Sequence, residues 1–401
     1  MRAANLALVT AAAYARPEPR SRAELADVTS VSRATVGRLV DDLVRAGLLV
    51  EGPAAPSQGP GRPSIPLLPT GHRYAALGLQ VNVRRLTARV VDLAGTLVSE
   101  SVIDGDFTDS DPDTVLPQLL SLGREVVRSS ADGREVVGAG LALPGLVGAD
   151  GQLLRAPNLG WQEVDIRAIV DGRLGGLPLV IDNEATFAAL TAARHAPGRP
   201  AAIGDFVYLS GEVGVGGAIV VDGQVLRGRH GWAGEVGHVP VTADGPRCPC
   251  GSTGCLETYV GRSALLARAG LPVDSPPAAL AAAMGRGEHR AVTAIEEAAR
   301  ALAVALGGVV NVLDVPTVVL GGHLADLGAA LADRVQSGLA ERVLASRWVP
   351  PVVLVGSSDI SPAATGAAYV PWKDCSPIRD RCSPGGARRH TDRREVSGGW
   401  R

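Results

Sequence analysis

The chain has 401 residues, 46% hydrophobic and 20% charged, enough for two or three domains with cores of their own and the composition of a soluble globular protein. A formal net charge of −2 excludes a whole-surface attraction to nucleic acid or membrane, so any such partner has to be met by a local patch. No basic-then-apolar leader and no apolar run of membrane-spanning length is found, and a cytoplasmic location is expected.

Residues 1–70 differ in kind from the rest. "NLALVTAAAYA" is helix-like and leads into "SRAELADVTSVSRATVGRLVDDLVRAGLLV". There Ser21 and Glu24 have capping-box spacing for one short helix, and Ser32 stands as the N-cap of the next. Val36, Leu39, Val40 and Leu43 recur at helical spacing as a buried stripe, with Arg33, Thr35 and Arg38 on the opposite face. Gly47 ends that helix, Leu48 to Val50 reads as a short strand, and "GPAAPSQGPGRPSIPLLP" is a loop returning to a second strand. This is the element order of a winged helix-turn-helix.

The N-terminal end of a recognition helix enters the DNA major groove, where arginine and hydroxyl side chains reach base edges and phosphates. Ser32, Arg33, Thr35 and Arg38 are therefore the DNA-binding candidates. Arg62, in Gly61-Arg62-Pro63 of the wing, joins them as a minor-groove candidate. From Met1 to Val50 seven arginines face five acids, a mildly basic unit in an acidic chain.

From about Tyr74 the pattern becomes α/β. "AALGLQVNVRRLTARVVDLAGTLVSE" reads as an alternating strand hairpin, "EVVGAGLALPGLVG" as a buried strand entering a turn, and "LPLVIDNEATFAAL" as a strand running into a helix. Asp182-Asn183-Glu184 sits where ligands collect in such proteins, beyond the carboxyl end of a strand. Asp182 itself is read as a turn or capping group. After "HAPGRP", a hinge candidate, "DFVYLSGEVGVGGAIVVDGQVL" forms a second glycine-rich hairpin, and "TVVLGGHLADL" a later strand and helix. Two hairpins, each followed by helices and strands, predict a duplicated α/β unit with a ligand cleft between lobes. The expected divisions are a first lobe over residues 71–195, a second over 196–371 whose last segment returns to the first, and a disordered basic tail over 372–401.

One loop carries metal chemistry. In "GEVGHVPVTADGPRCPCGSTGCLET" the ligand types follow as His238, Cys248, Cys250 and Cys255. Three thiolates and an imidazole complete a tetrahedral zinc shell and leave no open position, so a structural ion is expected. The free ring nitrogen of His238, oriented by the metal, would then serve a ligand hydroxyl, with Glu235 and Glu257 carried by the same clip.

These residues together resemble the ROK family (repressors, open reading frames and sugar kinases), specifically its regulators with an N-terminal winged helix-turn-helix. The resemblance runs from Leu6 to Ala368 and rests on "SRATVGRLVDDLVRAGLL", "GRP", "LPGLVGADGQLLRAPNLGW", "DNEATFAAL", "GEVGHV", "CPCGSTGCLET" and "VVLGGHLA". It implies a two-lobed, actin-like (ribonuclease H-like) α/β fold with a sugar in the cleft, held by Asn158, Asn183, Glu184, Glu235, His238 and Glu257. Carboxylates and amides suit vicinal hydroxyls, forming short charge-assisted hydrogen bonds.

Kinase members of the family carry an Asp-x-Gly-Gly-Thr turn, a Gly-Thr-Gly turn and an aspartate base. Here the corresponding stretches are Gln80-Val81-Asn82-Val83 and Ser210-Gly211-Glu212-Val213-Gly214, and Glu184 stands at the base. Glu212 would oppose a nucleotide phosphate by like charge. The expectation is a sugar-responsive regulator, a repressor of carbohydrate-utilisation genes relieved by sugar or sugar phosphate, binding operator DNA as a dimer or dimer of dimers, with structural zinc and no ATP. An ATP-dependent sugar kinase carrying a DNA-binding domain is the alternative.

Overall fold

The computed structural model describes residues 2–15, 18–53, 65–130, 133–211 and 213–372. The wing position Arg62, the turn residue Glu212 and residues 373–401 of the expected tail lie outside the described residues. Among the described residues no helix is long and apolar enough to cross a membrane.

The N-terminal unit has helices α1 (Arg2–Tyr14), α2 (Arg22–Thr29) and α3 (Arg33–Arg45), then strands β1 (Leu49–Glu51) and β2 (Leu67–Pro69), which pair antiparallel. Local chemistry sets its boundaries. Ser21 and Glu24 form the reciprocal capping box of α2, and Ser32 Oγ accepts from the Thr35 amide at 3.3 Å to start α3. Val36, Leu39, Val40 and Leu43 are buried against Leu6, Val9 and Leu25.

The first lobe contains β3 (Tyr74–Asn82), β4 (Arg85–Asp92), β5 (Leu97–Asp104), α4 (Pro112–Ser129), β6 (Glu135–Leu143), β7 (Leu146–Val147), β8 (Leu153–Ala156), β9 (Trp161–Val164), α5 (Ile166–Val170), β10 (Leu179–Asn183) and α6 (Glu184–Ala193). A ribbon of β11 (Arg194–Ala196) and β12 (Arg199–Pro200) follows, where a hinge was expected. The second lobe continues with β13 (Phe206–Gly211), β14 (Val215–Val221), β15 (Gln224–Val225), α7 (Glu257–Val260), α8 (Arg262–Ala269), α9 (Pro277–Gly285), α10 (His289–Leu313), β16 (Thr317–Gly322), α11 (His323–Asp326), α12 (Gly328–Arg342) and β17 (Val352–Val355). The last helix is α13 (Pro362–Tyr369).

The two main sheets have the same topology. One runs β5-β4-β3-β6-β10 and the other β15-β14-β13-β16-β17. In each, an antiparallel meander supplies the first three strands, and two parallel strands follow on the other side of the first. Helix α4 covers one face of the first sheet, and α10 with α12 covers one face of the second. Helices α6 and α13 form the layer between the sheets, where Phe187, Leu190 and Ala367 pack against Ala142 of one sheet and Phe206, Tyr208 and Ala218 of the other.

This sandwiching explains a departure from the alternation read in the sequence. All nine residues of β3 are buried, because helices cover both of its faces. Helix α13 approaches so closely that a Cβ on Gly366 would collide with the Phe187 carbonyl, and one on Gly78 with the Ala364 carbonyl. Arg89 of β4, 5% exposed, ties the start of α13 to the sheet through Asp359 at 2.6 Å, the Ser361 carbonyl at 3.0 Å and Thr365 at 2.8 Å, with Glu100 2.7 Å away on the other side. Past α13 comes one correction to the expected tail. Trp372 is buried, because its indole joins Tyr369, Tyr74 and Leu93 in the core that α1 and α3 also build.

Candidate functional site

The six cleft candidates come from four separate segments. Asn158 sits in the 3-10 turn Pro157–Leu159 between β8 and β9, and Asn183 and Glu184 mark the junction of β10 and α6. Glu235 and His238 bracket the 3-10 turn Val236–His238, and Glu257 opens α7. All six line one cavity of about 80 Å³ between the lobes, together with Asn82, Gly145 and Gly214. Its lining is rich in carboxylates and amides, which suits a compact polyhydroxylated ligand.

The amide of Asn183 is already engaged. Its Oδ1 accepts from the amides of Ala185 at 2.7 Å and Thr186 at 3.3 Å as the N-cap of α6, and its Nδ2 donates to the Gly145 carbonyl at 2.7 Å. One N–H is left for a ligand. The capping role read for Asp182 therefore belongs to Asn183. Asp182, next to last in β10, has its side chain buried, accepts from the Asn183 amide at 2.8 Å and is ion-paired with Arg227 of the second lobe. Burial raises its pKa, and Arg227 opposes that shift.

Glu184 is held by two buried amides of β3. Gln80 Nε2 lies 3.4 Å and Asn82 Nδ2 3.2 Å from its Oε2, while Gln80 Oε1 accepts from the Ala364 amide of α13 at 3.2 Å. Gln80 thus connects the first sheet with both helices of the middle layer. The sequence carried a signal for this pair, since these two amides, at the end of β3, stand in the stretch matched to the acid and glycines of a kinase phosphate turn.

In the second lobe Glu257 Oε2 accepts from the Val215 amide at 2.9 Å. The chain approaches it through Gly214, where a Cβ would lie 2.5 Å from Glu257 Oε2 and 3.0 Å from Asn158 Nδ2, so any larger residue would displace the ends of these two cleft side chains. Glu235 Oε2 is 3.8 Å from His238 Nε2. Burial raises the Glu235 pKa, His238 lowers it and Glu257 raises it further. The site therefore combines hydrogen-bond acceptors from both lobes with one imidazole.

The four metal-ligand candidates are brought together. His238, Cys248, Cys250 and Cys255 place one ligand atom each within 4.8 Å of the others. Cys250 Sγ to Cys255 Sγ is 3.7 Å, and Cys248 Sγ to His238 Nδ1 is 3.7 Å. A tetrahedron with arms of about 2.3 Å has edges of about 3.8 Å, so the donor set fits a four-coordinate ion such as zinc. Burial pushes the Cys248 thiol up to about 12, so a thiolate there calls for a cation, and metal binding would release its proton. Gly251 (φ 100°) and Gly254 (φ 71°) supply the left-handed turns that close the loop. With Nδ1 toward the sulfurs, Nε2 of His238 is left on the Glu235 side. Arg155 of β8 steadies this loop from the first lobe, donating to the Pro249 carbonyl at 3.1 Å and the Cys250 carbonyl at 3.4 Å. No sequence signal marked it.

Four of the DNA-binding candidates, Ser32, Arg33, Thr35 and Arg38, lie at the start of α3, while Arg62 is outside the described residues. Arg33 and Arg38 are exposed, with Arg33 3.8 Å from Asp27. Ser32 Oγ donates to Thr35 Oγ1 at 2.9 Å while capping the helix, which leaves the Thr35 O–H free to donate.

The profile described as "ROK family" matches residues 76–373. The xylose repressor of Caldicellulosiruptor bescii is 28% identical over 339 residues, covering 80% of this chain and 84% of that protein. Among solved structures, a ROK family transcriptional regulator described as a homolog of the E. coli MLC protein superposes with a TM-score of 0.74 at 23% identity, covering 95% of this chain and 100% of that one; at this identity the likeness concerns the fold. A ROK family glucokinase from Streptomyces griseus, in complex with glucose and AMPPNP, gives a TM-score of 0.62 at 25% identity, covering 73% of this chain and 98% of that one.

Proposed function

The chain belongs to the ROK family, and from that membership and the cleft geometry we propose that it is a sugar-responsive transcriptional repressor. The observation that carries the proposal is the junction of six hydroxyl-binding candidates in one interlobe cavity, in a chain that also has an N-terminal helical unit and a relative named as a xylose repressor. The N-terminal unit is read as a winged helix-turn-helix with residues 1–70. Ser32, Arg33, Thr35 and Arg38 face operator DNA, and a two-fold dimer supplies the second half-site.

The sugar bridges the lobes. Asn158, Asn183 and Glu184 hold it from the first, and Glu235, His238 and Glu257 from the second. His238, Cys248, Cys250 and Cys255 would hold a zinc ion, which would cross-link the loop that carries three of these positions. The remaining work is done by the chain itself: carboxylates accept from sugar hydroxyls, and His238 Nε2 is presented to the cleft. Because Gln80 touches both Glu184 and the Ala364 amide, lobe closure on a sugar bears on α13. The core of the N-terminal unit includes Ala368 and Tyr369 from the end of α13. A sugar that binds one lobe arrangement better than another thereby shifts the position of α3 and the affinity for DNA.

DNase footprinting of sugar-utilisation promoters, with and without a panel of neutral sugars and sugar phosphates, tests the reading. Protection lost on adding one sugar is expected, and absence of any protected site refutes it. The second reading, an ATP-dependent sugar kinase, draws support from the likeness to a glucokinase. Gln80 at the position of the kinase acid, engaged with Glu184 and Ala364, weighs against it. Sugar-dependent ADP release that Glu184→Gln abolishes would restore it.

A further inference from the structure

A second and much larger cavity, about 540 Å³, lies between the N-terminal unit and the α/β body, away from the interlobe cleft. One wall is the face of α1 with Leu6, Ala11 and Tyr14; the other includes Leu93, Trp372 and Arg194 of β11. Its volume falls within the roughly 300–1,000 Å³ of small-molecule sites. The walls are mostly apolar, and their hydroxyls are already engaged. Thr10 Oγ1 donates to the Leu6 carbonyl at 2.8 Å, and Tyr14 Oη to the Leu48 carbonyl at 2.7 Å.

Arg194 is the exception. It is 8% exposed, and among the described residues no hydrogen bond or ion pair holds its guanidinium. Burial with no compensating partner lowers its pKa. The other lining residue that carries a charge at neutral pH, Asp222, is exposed and not ion-paired with it. A buried cation without a partner is costly, and buried polar groups are ordinarily satisfied. The guanidinium fork matches a planar carboxylate in bidentate geometry.

We propose that this cavity binds an amphipathic monocarboxylate, its hydrocarbon or aromatic body between α1 and the Leu93–Trp372 wall and its carboxylate on Arg194. A single guanidinium neutralises one negative charge, which favours a carboxylate over a phosphate dianion. The walls are mostly apolar and lack the grouped carboxylates and amides of the interlobe cleft, so this ligand is of a different class from that of the cleft. Since one wall belongs to the N-terminal unit and the other to the α/β body, an occupant favours the docked arrangement of the two.

Isothermal titration calorimetry of the full chain with octanoate and with 1-octanol tests this. Octanoate is expected to bind saturably and at least about tenfold more tightly than the alcohol, the margin of a charge-assisted hydrogen bond. Arg194→Met is expected to lose that preference while melting no lower than the parent, since an uncompensated buried charge is removed. Should Arg194→Met fail to fold, Arg194→Gln reads the same preference. Ala11→Phe, which fills the cavity from α1 without touching Arg194, is expected to abolish octanoate binding and leave the melting temperature unchanged. Equal binding of octanoate and octanol, no saturable binding, a preference that survives Arg194→Met, or octanoate binding that survives Ala11→Phe would each overturn the proposal. None of these outcomes depends on which sugar the cleft takes.

Discussion

Replacing Glu184 separates two roles of one carboxylate, reception of a ligand hydroxyl and satisfaction of two buried amides. In Glu184→Gln the side-chain shape is kept and an acceptor oxygen still faces Gln80 Nε2 and Asn82 Nδ2, now 3.4 and 3.2 Å away, so the fold loses little. What disappears is charge. A hydrogen bond to a charged group contributes about 1.5–3 kcal/mol and a neutral one about 0.5–1.5 kcal/mol. The difference, about 1–1.5 kcal/mol per ligand hydroxyl, corresponds to roughly tenfold weaker sugar binding. In Glu184→Leu both amides lose their acceptor in a setting where Gln80 is 5% and Asn82 3% exposed. Each orphaned donor costs about 1–3 kcal/mol, so destabilisation of about 2–6 kcal/mol is expected. Calorimetric titration with the inducing sugar reads the first effect, and denaturant unfolding the second. Unchanged sugar affinity in Glu184→Gln would refute its place in the ligand shell. A Glu184→Leu chain as stable as the parent would refute the coupling to β3.

The metal cluster predicts one zinc per chain in elemental analysis, and Cys255→Ser or a strong chelator is expected to lower both sugar affinity and the melting temperature of the second lobe, with thiolate protons taken up as metal leaves. Arg89→Met leaves Asp359 and Glu100 beside α13 without their cation, and destabilisation of about 3–5 kcal/mol in urea unfolding is expected. The same contact makes a pH prediction. Burial would raise the Asp359 pKa, but Arg89 and the Ser361 amide outweigh it and the net shift is downward. A carboxylate with a depressed folded pKa contributes stability above its unfolded pKa that is lost as pH falls through the folded value, so acid should unfold the parent over a window below the ordinary aspartate range, and Arg89→Met should shorten that loss. On the DNA side, Arg33→Ala and Arg38→Ala should each weaken operator binding; a phosphate contact shows as a fall of about one in the salt slope, whereas a base contact costs about 1–3 kcal/mol at one base pair only.

The parts legible in the sequence are those decided by neighbours along the chain. The Ser21–Glu24 capping box, the Ser32 cap and the apolar stripe of α3 depend on helical periodicity alone, and the structure has them where spacing puts them. The cysteine and histidine ligands lie within one short loop, so their chemistry could be read before their geometry. Other features depend on partners far away in the chain. Gln80 and Glu184 meet only because β3 and β10 flank β6 in one sheet, which aligns their carboxyl ends. Asn158 and Glu257 share a cavity only because Gly214 stands between their side-chain ends where the lobes meet. Burial of both faces of β3, the pairing of Asp182 with Arg227, the inward turn of Trp372 and the isolation of Arg194 were likewise decided by packing between layers. Sequence alone determined which residue types and local turns were at hand for hydroxyls, metal and DNA; the tertiary structure decided which of them share a cavity and which are consumed in holding it open, because burial and desolvation are properties of the assembled layers and not of any one segment.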